Sequence, residues 1–434
     1  MSLVWTETVQ LPKFSELLGD CKTDVLIIGG GITGILCAYF MEKEGISYIL
    51  VEADTICSGI TKNTTAKITS QHGLIYDKLL RRFGRELTQR YLKLNESAIK
   101  EYGKICRNID CDFEYKDSYV YTSRSLEKIE KEIRALEILG YNAEFENQLD
   151  IPVDIMGAVR FHNQAQFHPL KFIAAIAEGL NIYEHTKVTE LEKNVAKTNH
   201  GNINADKIVV ATHFPINNKH GAYFLKMYQS RSYVIALENA GNVNGMYIDE
   251  DAKGMSFRNY DNLLFLGGGG HRTGKSGGSW QVLREFADKY YPGAKERYAW
   301  AAQDCMTLDG IPYVGTYGKN THGFYLMSGY NKWGMTSSMV AAQLINDLIT
   351  KSENIGEALF NPHRTMLRPQ LFINGYEAVT NIVRFADKRC PHMGCSLKWN
   401  KDEHSWDCPC HGSRFSENGE LIDNPATDDL KEKR

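Results

Sequence analysis

A chain of 434 residues is long enough for two or three domains, and its 43% hydrophobic content supports ordinary buried cores. A formal net charge of −3 gives no electrostatic reason to expect nucleic acid or an anionic membrane as a partner. Six of the ten cysteines lack framework spacing, and no basic stretch followed by an apolar one opens the chain, which excludes a disulfide scaffold and predicts a cytoplasmic protein.

Val25 to Met41 is the most apolar stretch, too short and too glycine-rich for a membrane span. It reads instead as a phosphate cradle. Thr23 to Ile28 predicts a buried parallel strand. It runs into Gly29-Gly-Gly-Ile-Thr-Gly34, then a helix over 35–44 stopped by Gly45, then a strand over 47–51 ending at Glu52. Gly29 permits the tight turn, Gly31 lets backbone approach a pyrophosphate, and Gly34 lets helix and strand pack closely. Ile32 and Thr33 open the helix N-terminus, and Glu52, followed by Ala53, stands where a carboxylate would bind a ribose hydroxyl. The alternative is a purely structural glycine turn, which the strand–turn–helix–strand setting disfavours.

The motif alone does not choose between NAD and FAD. Ser58 to Ala66 is small and hydroxyl-rich, so Thr61, Thr64 and Thr65 suit a cofactor wall. Val188 is a further candidate lining residue. Ala205 to Thr212 reads as an apolar strand ending in Ala211-Thr212. Asp309 to Gly315 and Tyr325 to Thr336 precede a last helix over 337–350. A turn made by Gly329, Asn331, Trp333 and Gly334, with Met335 and Thr336, would aim amide donors and a positive helix end at a flavin pyrimidine.

The substrate side is less legible. Gly267 to Gly274 is a glycine-rich turn bearing His271 and Arg272, and Arg272 could fork a carboxylate. Arg231 and Tyr233 share one face of a strand. Tyr330 and Trp333 flank the flavin segment and could wall an amine pocket, though each reads equally well as core, and Lys332 could assist oxygen or amine chemistry, so that Arg272, Lys332 and Tyr330 are the candidate catalytic groups. His72 and His213 read as structural.

The C-terminal segment holds Cys390-Pro-His392 and, after residues 393–407, Cys408-Pro-Cys-His411. Two Cys and two His suit either zinc or a [2Fe-2S] cluster with mixed ligands. Zinc fingers usually pair Cys with Cys in one half and His with His in the other, whereas each half here carries one of each. His404, between the halves, reads as a solvent-facing residue.

On these residues, the first 350 or so positions resemble the D-amino-acid oxidase/glycine oxidase superfamily of FAD-dependent oxidoreductases. The flanks Cys390–Cys395 and Cys408–Ser413 resemble the two boxes of a Rieske domain. The resemblance implies an α/β, Rossmann-like two-dinucleotide-binding fold with an α+β substrate part, and a small, truncated all-β Rieske tail. It implies a flavoprotein over 1–360, its FAD part at about 20–75, 150–215 and 300–355 and its substrate part at about 76–149 and 216–299, with linker and cluster domain over 361–434. It implies FAD and a [2Fe-2S] cluster, with Cys390, Cys408, His392 and His411 as iron ligands and a Cys395–Cys410 disulfide. Phe415 stands where high-potential members carry Tyr, implying a lower potential. Only one strand, Val379 to Phe385, is expected ahead of Cys390. The implied activity is oxidation of a C–N bond of a small amine or amino acid by hydride transfer, with electrons leaving through the cluster to a protein or quinone acceptor. An O₂-using oxidase with a vestigial cluster and a non-enzymatic electron carrier are the rivals.

Overall fold

Strand Cys21–Ile28 becomes apolar on both sides over its second half, Val25 to Ile28, because there it lies mid-sheet, pairing in parallel with both Tyr48–Val51 and Asn202–Val210. The computed structural model describes residues 3–217, 220–251, 253–277, 279–319, 321–351 and 355–431. Phe324–Ser328 extends the sheet in parallel beyond Asn202–Val210. Helix Ile32–Lys43 follows the glycine turn and packs against helix Gly334–Thr350, each burying small and aliphatic side chains.

A second, nine-stranded sheet runs in the order Lys295–Thr307, Met227–Glu238, Leu263–Arg272, Ser256–Tyr260, Met246–Asp249, Glu114–Thr122, Gly157–Gln166, Lys67–Ile68, with Glu144–Glu146 pairing Gly157–Gln166. Two boundaries drawn from sequence need correction. Gly157–Gln166 and the 300–307 portion of Lys295–Thr307, assigned to the FAD part, belong to this second sheet, because their antiparallel partners are Glu114–Thr122 and Met227–Glu238. Helices Tyr76–Cys106 and Leu126–Leu139 flank the strand Glu114–Thr122.

The tail is a four-stranded antiparallel sheet, Lys398–Asn400, Ser405–Asp407, Arg414–Ser416 and Leu421–Asp423. The expected strand at Val379 to Phe385 is instead the end of a helix, Pro369–Val383, begun by proline in its first turn. Asn374, Glu377 and Asn381 recur at helical spacing and are its buried residues, a periodicity that a seven-residue window hides. The base missing from the tail is supplied by the flavoprotein. Arg231 on Met227–Glu238 grips Glu403 of the tail, with Nε–Oε1 at 3.0 Å, and Glu403 also pairs with Arg414. Burial pushes the Glu403 carboxyl up, but the two guanidiniums outweigh it and hold it low. Among the described residues no helix is long and apolar enough to cross a membrane.

Candidate functional site

A cavity of about 400 Å³ opens where the parallel strands end. Gly29, Gly31, Ile32, Thr33, Glu52, Ala53, Thr61, Thr64, Val188, Ala211, Thr212, Asn331, Gly334 and Met335 line it, as do Tyr330 and Lys332. The glycines are dictated sterically. Gly29 has φ +114°, and a Cβ there would lie 2.7 Å from Ala211 O. A Cβ on Gly34 would overlap Gly29 O, so helix and turn touch backbone to backbone. Glu52 accepts from Gly30 N at 2.6 Å and Asp54 N at 3.0 Å. Burial raises its pKa, and these amides oppose the rise. The cradle and the cavity fit a dinucleotide flavin. Replacing Gly34 with Ala is therefore expected to give protein largely without flavin, read as collapse of the visible flavin band per mole of folded protein, whereas Gly45→Ala, at a turn with open space, retains it.

Several expected cofactor residues stand behind the cavity wall. Asp309 makes a two-point ion pair with Arg364, both contacts at 2.8 Å, and a third contact of 2.8 Å with Arg82. Its carboxylate therefore braces the fold and is corrected as a cofactor contact. Thr65 offers its carbonyl to the buried Arg258, and Thr336 pins Thr69 through hydrogen bonds to its N and O. Trp333 stacks on His72 at 5.0 Å, Gly329 (φ +78°) fits its turn against Thr307, and Gly34 serves packing. Asn331 and Lys332 both have positive φ, and Asn331 Oδ1 accepts from Thr307 N at 2.8 Å. That turn delivers the Gly334–Thr350 N-terminus to the cavity.

Sequence reasoning missed Asp304. It lies on Lys295–Thr307, lines the cavity, and has its pKa raised by burial, with Lys332, His213 and Arg231 pulling it back. Lys332 is lowered by burial, with Asp304 opposing. The signal was an acid one residue before Cys305, following a run of Ala, Trp and Gln over residues 299–303 of the strand.

Arg272 does not face the cavity, which corrects its reading as a carboxylate fork for substrate. It reaches into the tail, donating to Pro409 O at 3.1 Å, Cys410 O at 2.8 Å and Asn374 Oδ1 at 2.8 Å. A Cβ on Gly274 would sit 2.5 Å from Pro409 N, so the glycine-rich turn is glycine to admit the tail. Gln303 Nε2 donates to Gly412 O at 2.9 Å and Gln229 Nε2 to Asn424 O at 2.6 Å. The second sheet thus presents its polar face to the tail.

In the tail, matching loops bring the metal-type side chains together. Cys390 N donates to Cys395 O at 2.9 Å, and Cys408 N to Ser413 O at 2.8 Å. The thiols of Cys390 and Cys408 interact, both buried, and the thiol of Cys408 together with the Ser413 hydroxyl lowers the Cys390 pKa to about 7. The rings of His392 and His411 are 5.0 Å apart and nearly perpendicular. Both Nδ1 atoms are buried, and that of His411 has no hydrogen-bond partner among the described residues. Cys395, Cys408 and Cys410 sulfurs crowd within 4.8 Å, but Cys395 and Cys410 are joined at disulfide distance, S–S 2.31 Å. That leaves one thiol pair and one imidazole pair, which fits a mixed-ligand diiron cluster. Phe415 is fully buried beneath them, and His404 is exposed on the hairpin.

Comparison with known proteins agrees. Residues 24–348 match the family model described as FAD dependent oxidoreductase, and residues 363–433 match that of the Rieske [2Fe-2S] domain. The chain belongs to the FAD dependent oxidoreductase family. It carries a C-terminal Rieske domain, and its cofactors are accordingly FAD and a [2Fe-2S] cluster. It is 35% identical to the Bacillus subtilis (strain 168) protein YhfW, described as a Rieske 2Fe-2S iron-sulfur protein, over 99% of this chain and 96% of that one. It is 25% identical to the gamma-glutamylputrescine oxidoreductase of Escherichia coli (strain K12) over 81% and 89% of the two chains. The fold is similar to that of glycine oxidase from Geobacillus kaustophilus, with a TM-score of 0.66 at 18% identity, covering 80% of this chain and 99% of the other.

Proposed function

We propose that this chain oxidises the C–N bond of a small amine or amino acid and exports the electrons through its own tail to an external acceptor. One observation carries the reading: a single cavity is lined both by the Gly29–Glu52 cradle and by Leu421, Asp423, Asn424 and Ala426 of the tail. FAD supplies the hydride acceptor and the [2Fe-2S] cluster a one-electron outlet. Gly29, Gly31, Thr33, Glu52 and Thr212 would hold the flavin dinucleotide. Cys390 and Cys408 would hold one iron as thiolates, and His392 and His411 the other. Asp304, half-buried on the same cavity wall as Lys332, would receive the substrate's ammonium end, while Tyr330 and Met327 wall the site from water. The names of the relatives, an oxidoreductase of gamma-glutamylputrescine and an oxidase of glycine, support the amine and amino-acid class.

Anaerobic mixing of the oxidised holoprotein with a panel of amines and amino acids tests this. The expected result is bleaching of the flavin band followed by appearance of the reduced-cluster EPR signal. Flavin that is reduced but reoxidises only on adding O₂, with a silent cluster, would establish the direct oxidase instead. A flavin that no compound reduces would leave an electron carrier.

A further inference from the structure

The helix Pro369–Val383 is inverted relative to an ordinary surface helix. Its buried residues are polar: Asn374, Glu377 and Asn381. Its large apolar side chains face outward: Phe372 is 70% exposed, Tyr376 69%, Val379 62% and Val383 76%, with Leu367 at 72% before it and Phe385 at 91% after it. A water-facing helix normally carries charge on that side. A contiguous apolar face of this kind marks an interaction surface.

Charge decides between occupants. The helix has one acid, Glu377, which turns inward and pairs with Lys275 at 2.6 Å. Arg368 precedes the helix and the exposed Arg384 follows it, and farther on come Asp387, Lys388, whose ammonium lies over the Trp406 ring, and Arg389. Arg389 also caps the helix end, its guanidinium donating to Ile382 O at 2.9 Å and Arg384 O at 3.0 Å. An apolar strip with aromatic residues and cationic ends is what an interfacial, in-plane helix needs to sit at the headgroup boundary of an anionic bilayer. The net charge of −3 hides a local excess of cations: over residues 367–389, Arg368, Arg384, Lys388 and Arg389 stand against Glu377 and Asp387.

We infer that this helix docks the protein onto a membrane surface bearing anionic lipid. The same helix's inner face holds the cluster loops. Ser396 N donates to Asn381 O at 2.8 Å, and Asn374 receives Arg272, which also binds Cys410 O. Docking would therefore set the tail beside the bilayer, where a lipid-soluble acceptor such as a quinone resides. That consequence rests on the electron route proposed above; the docking itself does not.

The test is co-sedimentation of the full-length holoprotein with vesicles. Vesicles of equal parts phosphatidylcholine and phosphatidylglycerol are expected to carry the protein down, with pure phosphatidylcholine about tenfold less effective and high salt weakening the first. Phe372→Ser with Val379→Ser should abolish binding, Arg384→Gln should weaken it on anionic vesicles only, and Leu18→Ser, an exposed apolar residue near the N-terminus, should leave it unchanged. All substituted side chains are exposed, and retained flavin absorbance verifies folding. Absence of binding to anionic vesicles overturns the inference. So does a stable dimer by light scattering that Phe372→Ser with Val379→Ser dissociates, since a second copy would then cover the face. Because this readout needs no substrate, it stands apart from failure of the amine reading.

Discussion

Replacing Arg272 with Met is expected to slow substrate-driven reduction of the cluster about 100-fold while changing flavin reduction less than about twofold. The Arg272 guanidinium ties two loop carbonyls, Pro409 O and Cys410 O, to the flavoprotein sheet. Burial lowers its pKa, with Glu377 and Tyr228 opposing, and this half-buried cation makes hydrogen bonds of the strong, charge-assisted kind. Hydrogen bonds to charged groups contribute about 1.5–3 kcal/mol each, so losing this clamp costs roughly 3 kcal/mol or more of docking. A factor of 100 in a transfer rate corresponds to about 2.7 kcal/mol, close to the lower bound of that cost. Arg272→Lys keeps the charge but cannot fork two carbonyls, and should fall between wild type and Met. Anaerobic stopped-flow with separate flavin and cluster signals measures both steps. A raised KM for flavin reduction with normal transfer to the cluster would return Arg272 to the substrate site and sink the clamp.

Arg272 also shows why the site was only partly legible in sequence. Gly29, Gly31 and Gly34 could be read because their spacing within one strand–turn–helix unit is a local pattern, and the structure bears out the steric need at Gly34, blocked by Gly29 O, and at Gly29, blocked by the distant Ala211 O. The four metal-type residues were equally local, two per loop. Arg272 was not, since its partners lie 137 and 138 residues away across a contact between domains. Asp309 misled for the same reason: next to a glycine turn it looked like a cofactor contact, but Arg82, 227 residues distant, and Arg364 claim it. The helix Pro369–Val383 failed differently. Its β-branched end favoured a strand by propensity, and the deciding signal was an inward polar stripe, opposite to the apolar stripe by which buried helix faces are usually found. Asp304 went unseen because one acid in a strand has no meaning until the strand's face is known.

Asp304→Asn is expected to lower the rate of flavin reduction by amine or amino acid about 100- to 1000-fold, with flavin and cluster content unchanged. Asp304 lines the cavity half-buried, with Lys332 on the same wall, and a hydrogen-bonded charge pair held partly away from water is worth several-fold to a thousandfold in rate when one charge is removed. The amide keeps the shape of the carboxyl and removes only the charge, so an ammonium brought to that position loses its counter-ion. The pH profile separates this role from a structural one. Burial raises the Asp304 pKa above the ordinary carboxylate value, so the wild-type rate should fall, as pH is lowered, at a higher pH than an exposed aspartate would impose. The Asn variant should lack that acid limb altogether, because no proton can be taken up there. A uniform loss with the acid limb intact would mean that Asp304 only supports the fold around Lys332, and the ammonium would then have to be held elsewhere in the cavity.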